Sequence, residues 1–238
     1  MKWRSLEESR PDSAPRSLRE IYTERKQLIA KYVPADVQQI HGRAVAELRQ
    51  SGIADRALGA GGRVQAFALP DHTGKIFRSR ELPEKRRLVL CFFRGRWCPF
   101  CVGQLEAMNL GLERLQESGA SLVAISPQSV RHSFFMADQH RLGFPLLSDQ
   151  NNQVARQFGL VYRVPDYQQA IYRQTFVNLP SLSGEPSWEL PIPATYVLDG
   201  AGEGESGFHR ILYAARNPDY ADRPEPEEIV RFLRAPLS

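Results

Sequence analysis

What the chain lacks narrows its identity first. Its 238 residues include only three cysteines, an odd number and too few for a disulfide scaffold, so an apolar core must carry the fold. No stretch approaches the ~20 consecutive apolar residues needed to span a bilayer, and no membrane partner is expected. The opening residues, Met1 to Glu8, are charged and lack the apolar segment of a secretory signal. A cytoplasmic, reducing location is the expectation. Neither charge sign dominates: 31 Lys and Arg against 27 Asp and Glu leave a formal +4. The charges are interleaved, which argues against nucleic acid as a partner. With 42% hydrophobic and 24% charged residues, the composition is that of an ordinary globule. The length allows one elaborated domain or a domain with an appended segment.

Two units are predicted. Residues 1–58 read as a helical extension: Leu18, Ile21, Tyr22, Leu28, Ile29 and Tyr32 recur at helical spacing, Pro34 interrupts, and a second pattern runs from Val37 to Leu48. Gly59 to Gly62 read as a flexible joint into a second unit, residues 59–238. There, residues 88–93 (Leu-Val-Leu-Cys-Phe-Phe) form an apolar run suited to a strand covered on both faces. Residues 121–125 and 195–199 are further strands. Short strands are expected near 67–69 and 75–77, and helices over about 99–117, 130–141, 151–158 and 226–233. Residues 162–190 show no clean period and read as a long loop, with Tyr162, Tyr167, Tyr172, Phe176 and Trp188 covering the core or a partner surface. Gly200 to Gly207 read as a hairpin. Alternating strands and helices predict an α/β fold with a mixed central sheet.

The chemistry is concentrated at Cys98-Pro99-Phe100-Cys101, between a buried strand and a helix. Residues three apart on the first helical turn lie about 5–6 Å apart, a separation a disulfide can bridge. Pro99 falls where a helix best tolerates proline. Cys98 falls at the helix N-cap, where unpaired N–H groups favour a thiolate over a thiol. Arg94 and Arg96 would add to that field if their side chains turn inward. The pattern predicts a nucleophile at Cys98 and a resolving thiol at Cys101. The second half of a structural zinc site is missing: there is no other Cys pair, and the five histidines show no ligand spacing. No metal or other cofactor is expected. Cys91, mid-strand, reads as an inert core residue.

The segment Trp97 to Cys101, together with Ile192-Pro193-Ala194-Thr195 before a distal strand, resembles the thioredoxin superfamily. Residues 60–199 more specifically resemble the peroxiredoxin-like branch of the alkyl hydroperoxide reductase/thiol-specific antioxidant (AhpC/TSA) family. The matching stretches are residues 65–71, 93–98, 122–127, 145–149 and 193–199. The resemblance implies a thioredoxin-like fold, a peroxidatic or attacking role for Cys98, and a peroxide or disulfide substrate. It also implies a thioredoxin- or glutathione-type reductant. Trp97, Arg94, Arg96, Pro99 and Pro193 are the implied substrate-side residues. Pro193 resembles the proline that packs on a thioredoxin disulfide, and its bond to Ile192 can be cis at modest cost.

Two departures accompany the match. The family's Pro-x-x-x-Thr/Ser-x-x-Cys has Cys91 and Gly95 at its proline and hydroxyl places, and Pro193 stands where an Arg is usual. These departures favour protein disulfide exchange over peroxide reduction. A binding module with vestigial thiols is the non-enzymatic alternative, and the extension's role, in a homodimer or in covering the sheet, stays open.

Overall fold

The apolar run around Cys91 becomes β4 (Arg87–Phe92), an interior strand of a mixed six-stranded sheet. In this computed structural model the described residues are 17–83, 86–175, 177–200 and 207–235. Side chains alternate across β4: Val89 and Cys91 enter the core on one face, Leu88, Leu90 and Phe92 the core on the other. Both faces are covered, so the sequence shows an unbroken apolar run instead of alternation.

The chain begins with α1 (Leu18–Tyr32), α2 (Ala35–Gln50) and the one-turn α3 (Ile53–Arg56). Three short strands follow, β1 (Arg63–Gln65), β2 (Ala68–Pro70) and β3 (Ile76–Arg78), before β4. Then come α4 (Pro99–Leu110), α5 (Leu112–Glu117), β5 (Ala120–Ser126), α6 (Val130–His140), β6 (Leu146–Ser148) and α7 (Gln153–Gln157). The remainder is β7 (Val161–Arg163), α8 (Asp166–Gln174), α9 (Leu179–Ser183), β8 (Glu189–Pro191), β9 (Ala194–Leu198), β10 (Phe208–Arg216) and α10 (Pro226–Arg234). The main sheet runs β1-β10-β9-β4-β5-β6. β4, β5 and β6 are parallel, while β9 lies antiparallel between β4 and β10. Helices α1, α4, α5, α6 and α10 pack on one face, and α3 and α7 on the other. This is the expected α/β architecture.

Three expectations are corrected. Residues 162–190 are not a long loop but fold as α8, α9 and the β7–β8 ribbon. The helix expected to run to about 117 breaks at Gly111, where a Cβ would lie 3.2 Å from Pro226. Residues 59–62 are not a loose joint: Gly61 N–H donates to Ile211 O, and Ile211 N–H to Gly62 O, each at 2.8 Å. Phe176 and residues 201–206 of the expected hairpin lie outside the described residues.

The extension packs on the second unit at α4. Leu18 and Tyr22 of α1 enter the core that holds the two motif cysteines. The Glu225 carboxylate, at the N-cap of α10, accepts from Leu18 N–H at 3.0 Å and from Arg19 N–H at 2.8 Å. The residue that starts α10 thus satisfies, with its side chain, backbone donors at the start of α1 that have no partner within their own helix.

Candidate active site

The loop between β4 and α4 sets the site. Phe93 N–H donates to Ile125 O at 2.9 Å, extending the β4–β5 pairing, and Arg96 N–H donates to Gln128 Oε1 at 3.0 Å. Gly95 adopts φ +148°, a region open to glycine and costly for other residues, and lets the chain turn into the helix. Cys98 is the N-cap of α4 and Pro99 its first residue, as expected. Cys101 follows one turn along.

Neither sulfur faces solvent. Cys98 is 1% exposed and Cys101 0%. Both belong to an apolar cluster against which the half-buried Trp97 packs. Tyr22 and Arg25 of α1 hold the first turn from outside: Tyr22 OH donates to Phe100 O, and Arg25 Nη1 donates to Pro99 O at 2.6 Å.

The donors converge on the second sulfur. Cys101 Sγ accepts from Arg94 N–H at 3.4 Å, from Arg223 Nη2 at 3.7 Å, and from the Cys98 thiol. Burial opposes ionisation of Cys101, but the Cys98 hydrogen bond and the Arg223 and Arg94 charges outweigh it and bring this thiol down to about 5. Burial, then the hydrogen bond and charge of Cys101, push Cys98 well up. The sequence expects the thiolate on Cys98; in the structure the Arg94 N–H and the Arg223 guanidinium meet the Cys101 sulfur instead. The reason is local: Cys98 is the N-cap residue, yet its side chain takes no capping hydrogen bond.

Two guanidiniums face this pair. Arg94 turns inward, 3% exposed, with its guanidinium 4.6 Å from the Trp97 ring centroid and 4.4 Å from that of Tyr220. Arg94 Nη2 donates to Tyr172 OH. Arg223 donates from Nη1 to Gln104 Oε1 at 3.0 Å and from Nη2 to Tyr220 O at 3.0 Å. Among the described residues neither arginine pairs with a carboxylate, so the sulfurs are the anionic groups within their reach. A buried cation without a counter-charge is costly, and a thiolate removes that cost. Burial pushes Tyr172 well up, leaving its phenol protonated beside Arg94.

The remaining expected residues divide. Arg96 lies away from the sulfurs, its charge lowering the His132 pKa after burial, the larger cause. The bond from Ile192 to Pro193, which could have been cis at modest cost, is trans. Pro193 lines a cavity of about 620 Å³, with Tyr22, Thr195 and Arg223 also on its wall. Cys91 is inert as expected: burial pushes its thiol up to about 12, and Thr195 Oγ1, 4.0 Å away, is its polar neighbour. Sequence reasoning missed Arg223, Tyr220 and Gln104. Arg223 lies 122 positions from Cys101 in a segment with no motif. Among the described residues no His, Cys, Asp or Glu cluster could hold a metal, and no helix is long and apolar enough to cross a membrane.

With this geometry in hand, comparisons with known proteins were made. A model described as the AhpC/TSA family matches residues 60–203. A putative peroxiredoxin of Mycobacterium tuberculosis is 33% identical over 117 residues, covering 49% of this chain and 76% of that protein. Peroxiredoxin Bcp of Escherichia coli is 30% identical over 103 residues, 43% of this chain and 65% of the other. Among solved structures, the peroxidoxin BcpB of Mycobacterium tuberculosis aligns with a TM-score of 0.57 at 24% identity, covering 76% of this chain and 99% of that one. That likeness shows the fold, a thioredoxin-like sheet with flanking helices.

Proposed function

Because the chain belongs to the AhpC/TSA family, we propose that it is a thiol-dependent peroxidase that reduces peroxides with Cys98 and Cys101. The observation that carries this reading is the buried dithiol facing two guanidiniums, neither of which pairs with a carboxylate among the described residues.

In the resting pair the Cys98 thiol donates to the Cys101 thiolate. Transfer of that proton to Cys101 leaves Cys98 ionised, and the Cys98 sulfur attacks one peroxide oxygen. The O–O bond breaks, Cys98 becomes a sulfenic acid, and the departing alkoxide takes the proton now on Cys101. Cys101, again a thiolate, attacks the Cys98 sulfur, and the disulfide forms as hydroxide leaves. A thioredoxin-type dithiol then restores both thiols. Cys98 is the attacking sulfur because it lies at the loop end of the turn, beside Trp97, whereas Cys101 lies inside the helix. Trp97 must swing aside to admit a reactant. Of the extension, helix α1 braces this site through Tyr22 and Arg25, and the unit that begins at residue 59 carries the catalytic cysteines.

The test is direct. Reduced protein mixed with hydrogen peroxide or an alkyl hydroperoxide is followed by stopped flow for thiol loss. A rate above that of free cysteine, abolished in Cys98→Ser, is expected; a rate no faster than free cysteine would remove the reading. Gly95, which lacks the family's hydroxyl, and Pro193, at the place of its Arg, favour a second reading, protein disulfide exchange. Insulin reduction dependent on Cys98, without peroxide turnover, would select it.

A further inference from the structure

We propose that Arg223 is a positioning residue for the resolving step, holding the Cys101 sulfur ionised and aimed at Cys98. The inference rests on the reading above, in which Cys98 attacks and Cys101 resolves.

The geometry is specific to one sulfur. Among the described residues, Arg223 is the sole side-chain guanidinium that hydrogen-bonds a cysteine, at 3.7 Å from Nη2 to Cys101 Sγ. Its other donors are fixed. Nε and Nη2 both donate to Tyr220 O, at 3.1 and 3.0 Å, and Nη1 to Gln104 Oε1 at 3.0 Å. Gln104 Nε2 in turn donates to Thr195 Oγ1 at 3.0 Å, which ties the guanidinium to β9. Arg94 differs: its guanidinium is occupied by Tyr172 OH and stacked rings, and only its backbone N–H reaches Cys101. The charged and titratable groups facing Cys101 are Cys98 and Arg94 from the β4–α4 turn, Tyr22 from α1, Tyr162 from β7, and Arg223 from the loop before α10. Of the cations in that set, Arg223 alone touches Cys101 with its charged group.

The step this serves is the closing of the disulfide. The Cys101 lone pair forms the S–S bond to the Cys98 sulfenic acid, the S–O bond breaks, and hydroxide leaves to be neutralised by a buffer acid in solution. Cys101 is oxidised and the Cys98 sulfur reduced, so no further oxidant is needed. A neutral Cys101 would first have to lose its proton in a site closed to solvent. Arg223 is half-buried and lines the 620 Å³ cavity, so it stands between the sealed sulfur and that cavity.

Two measurements test this. In a Cys98→Ser chain, where the serine hydroxyl still donates, the Cys101 thiolate is titrated by its absorbance near 240 nm. Adding Arg223→Met should move the midpoint up by about one to three pH units, and Arg223→Lys should recover part of the shift. In the otherwise unaltered chain, single-turnover mixing with peroxide should show sulfenic acid accumulating in Arg223→Met, the disulfide-forming phase slowing by up to about tenfold at pH 7, the loss of thiolate that a three-unit rise from about 5 brings. An unchanged midpoint, or a slowed peroxide step with disulfide closure intact, overturns the proposal. If Arg223→Met does not fold, the same readings on Arg223→Lys and Arg223→Gln decide it. The titration needs no peroxidase activity, so it stands even if the peroxidase reading fails.

Discussion

A Cβ placed on Gly95 would lie 2.6 Å from Trp97 Nε1. The family's hydroxyl-bearing residue therefore cannot be restored here without moving the tryptophan beside the reactive pair. Gly95→Ala combines this clash with a φ of +148°. It should lower stability by about 1–3 kcal/mol, read as a reduced urea midpoint with an unchanged slope. It should also displace Trp97, visible in its fluorescence. A variant as stable as the parent would show that the turn relaxes freely.

Trp97 packs on the cluster containing both sulfurs, and Arg94 stacks on its ring. Removing the ring opens the site, so Trp97→Ala should speed alkylation of the thiols by iodoacetamide about tenfold or more, because opening a closed site costs at least ~1.4 kcal/mol. Unchanged alkylation would mean that a reactant enters by another route, the cavity beside Pro193 being the alternative.

The two cysteines should separate in function. Cys101→Ser keeps the attacking sulfur and should form a sulfenic acid with peroxide that dimedone traps, whereas Cys98→Ser should form none. A trapped sulfenic acid on Cys101 in the Cys98→Ser chain would reverse the order of the two roles.

The opposed shifts of the pair make stability depend on pH in a defined sense. Cys101 titrates near 5 when folded, against an ordinary value of 9.0. Its depressed pKa contributes stability that is fully present above about pH 9 and lost as pH falls through about 5. Cys98 is held above the ordinary value, so its contribution is lost as pH rises beyond about 9. Kept reduced, the protein should therefore gain unfolding free energy from pH 5 to 9 and lose it above, relative to a Cys98→Ser/Cys101→Ser chain. Parallel pH profiles for the two proteins would contradict this.

Tyr22 ties α1 to the reactive turn through Phe100 O and stacks edge-on with the Phe100 ring at 5.1 Å. Tyr22→Phe keeps the stacking and removes the hydrogen bond. The expected cost is about 1 kcal/mol, measured by thermal unfolding, together with faster hydrogen exchange at the first turn of α4. No change in exchange there would show that the helix holds its own start.

The sheet and the motif were legible because their signals are local. An unbroken apolar run forms β4, and Pro99 opens α4 at the residue after Cys98. Helix α8 escaped because its buried face is half polar, two glutamines beside Ile171 and Tyr172. Gln168 and Gln169 are buried by hydrogen bonding, Gln168 Nε2 to His41 Nδ1 at 3.0 Å and Gln169 Nε2 to Val164 O at 2.7 Å, so no apolar stripe marks it. The charge distribution escaped for a different reason. Helix-end reasoning favours Cys98, but the guanidinium that reaches a sulfur is that of Arg223, at Cys101, and no spacing rule connects positions 101 and 223. Arg96 was misplaced because the chain turns at Gly95, φ +148°, between the two arginines, so Arg94 is buried and Arg96 is not.

The Glu225 carboxylate fastens the start of α1 while its loop neighbour, two positions earlier, grips the Cys101 sulfur. Helix α1 and the loop before α10 are therefore mechanically geared to the redox centre through one glutamate side chain. Loosening the front of the molecule, by proteolysis or by a partner that pulls the first helix away, would slacken the loop bearing Arg223 and detune the dithiol from a distance.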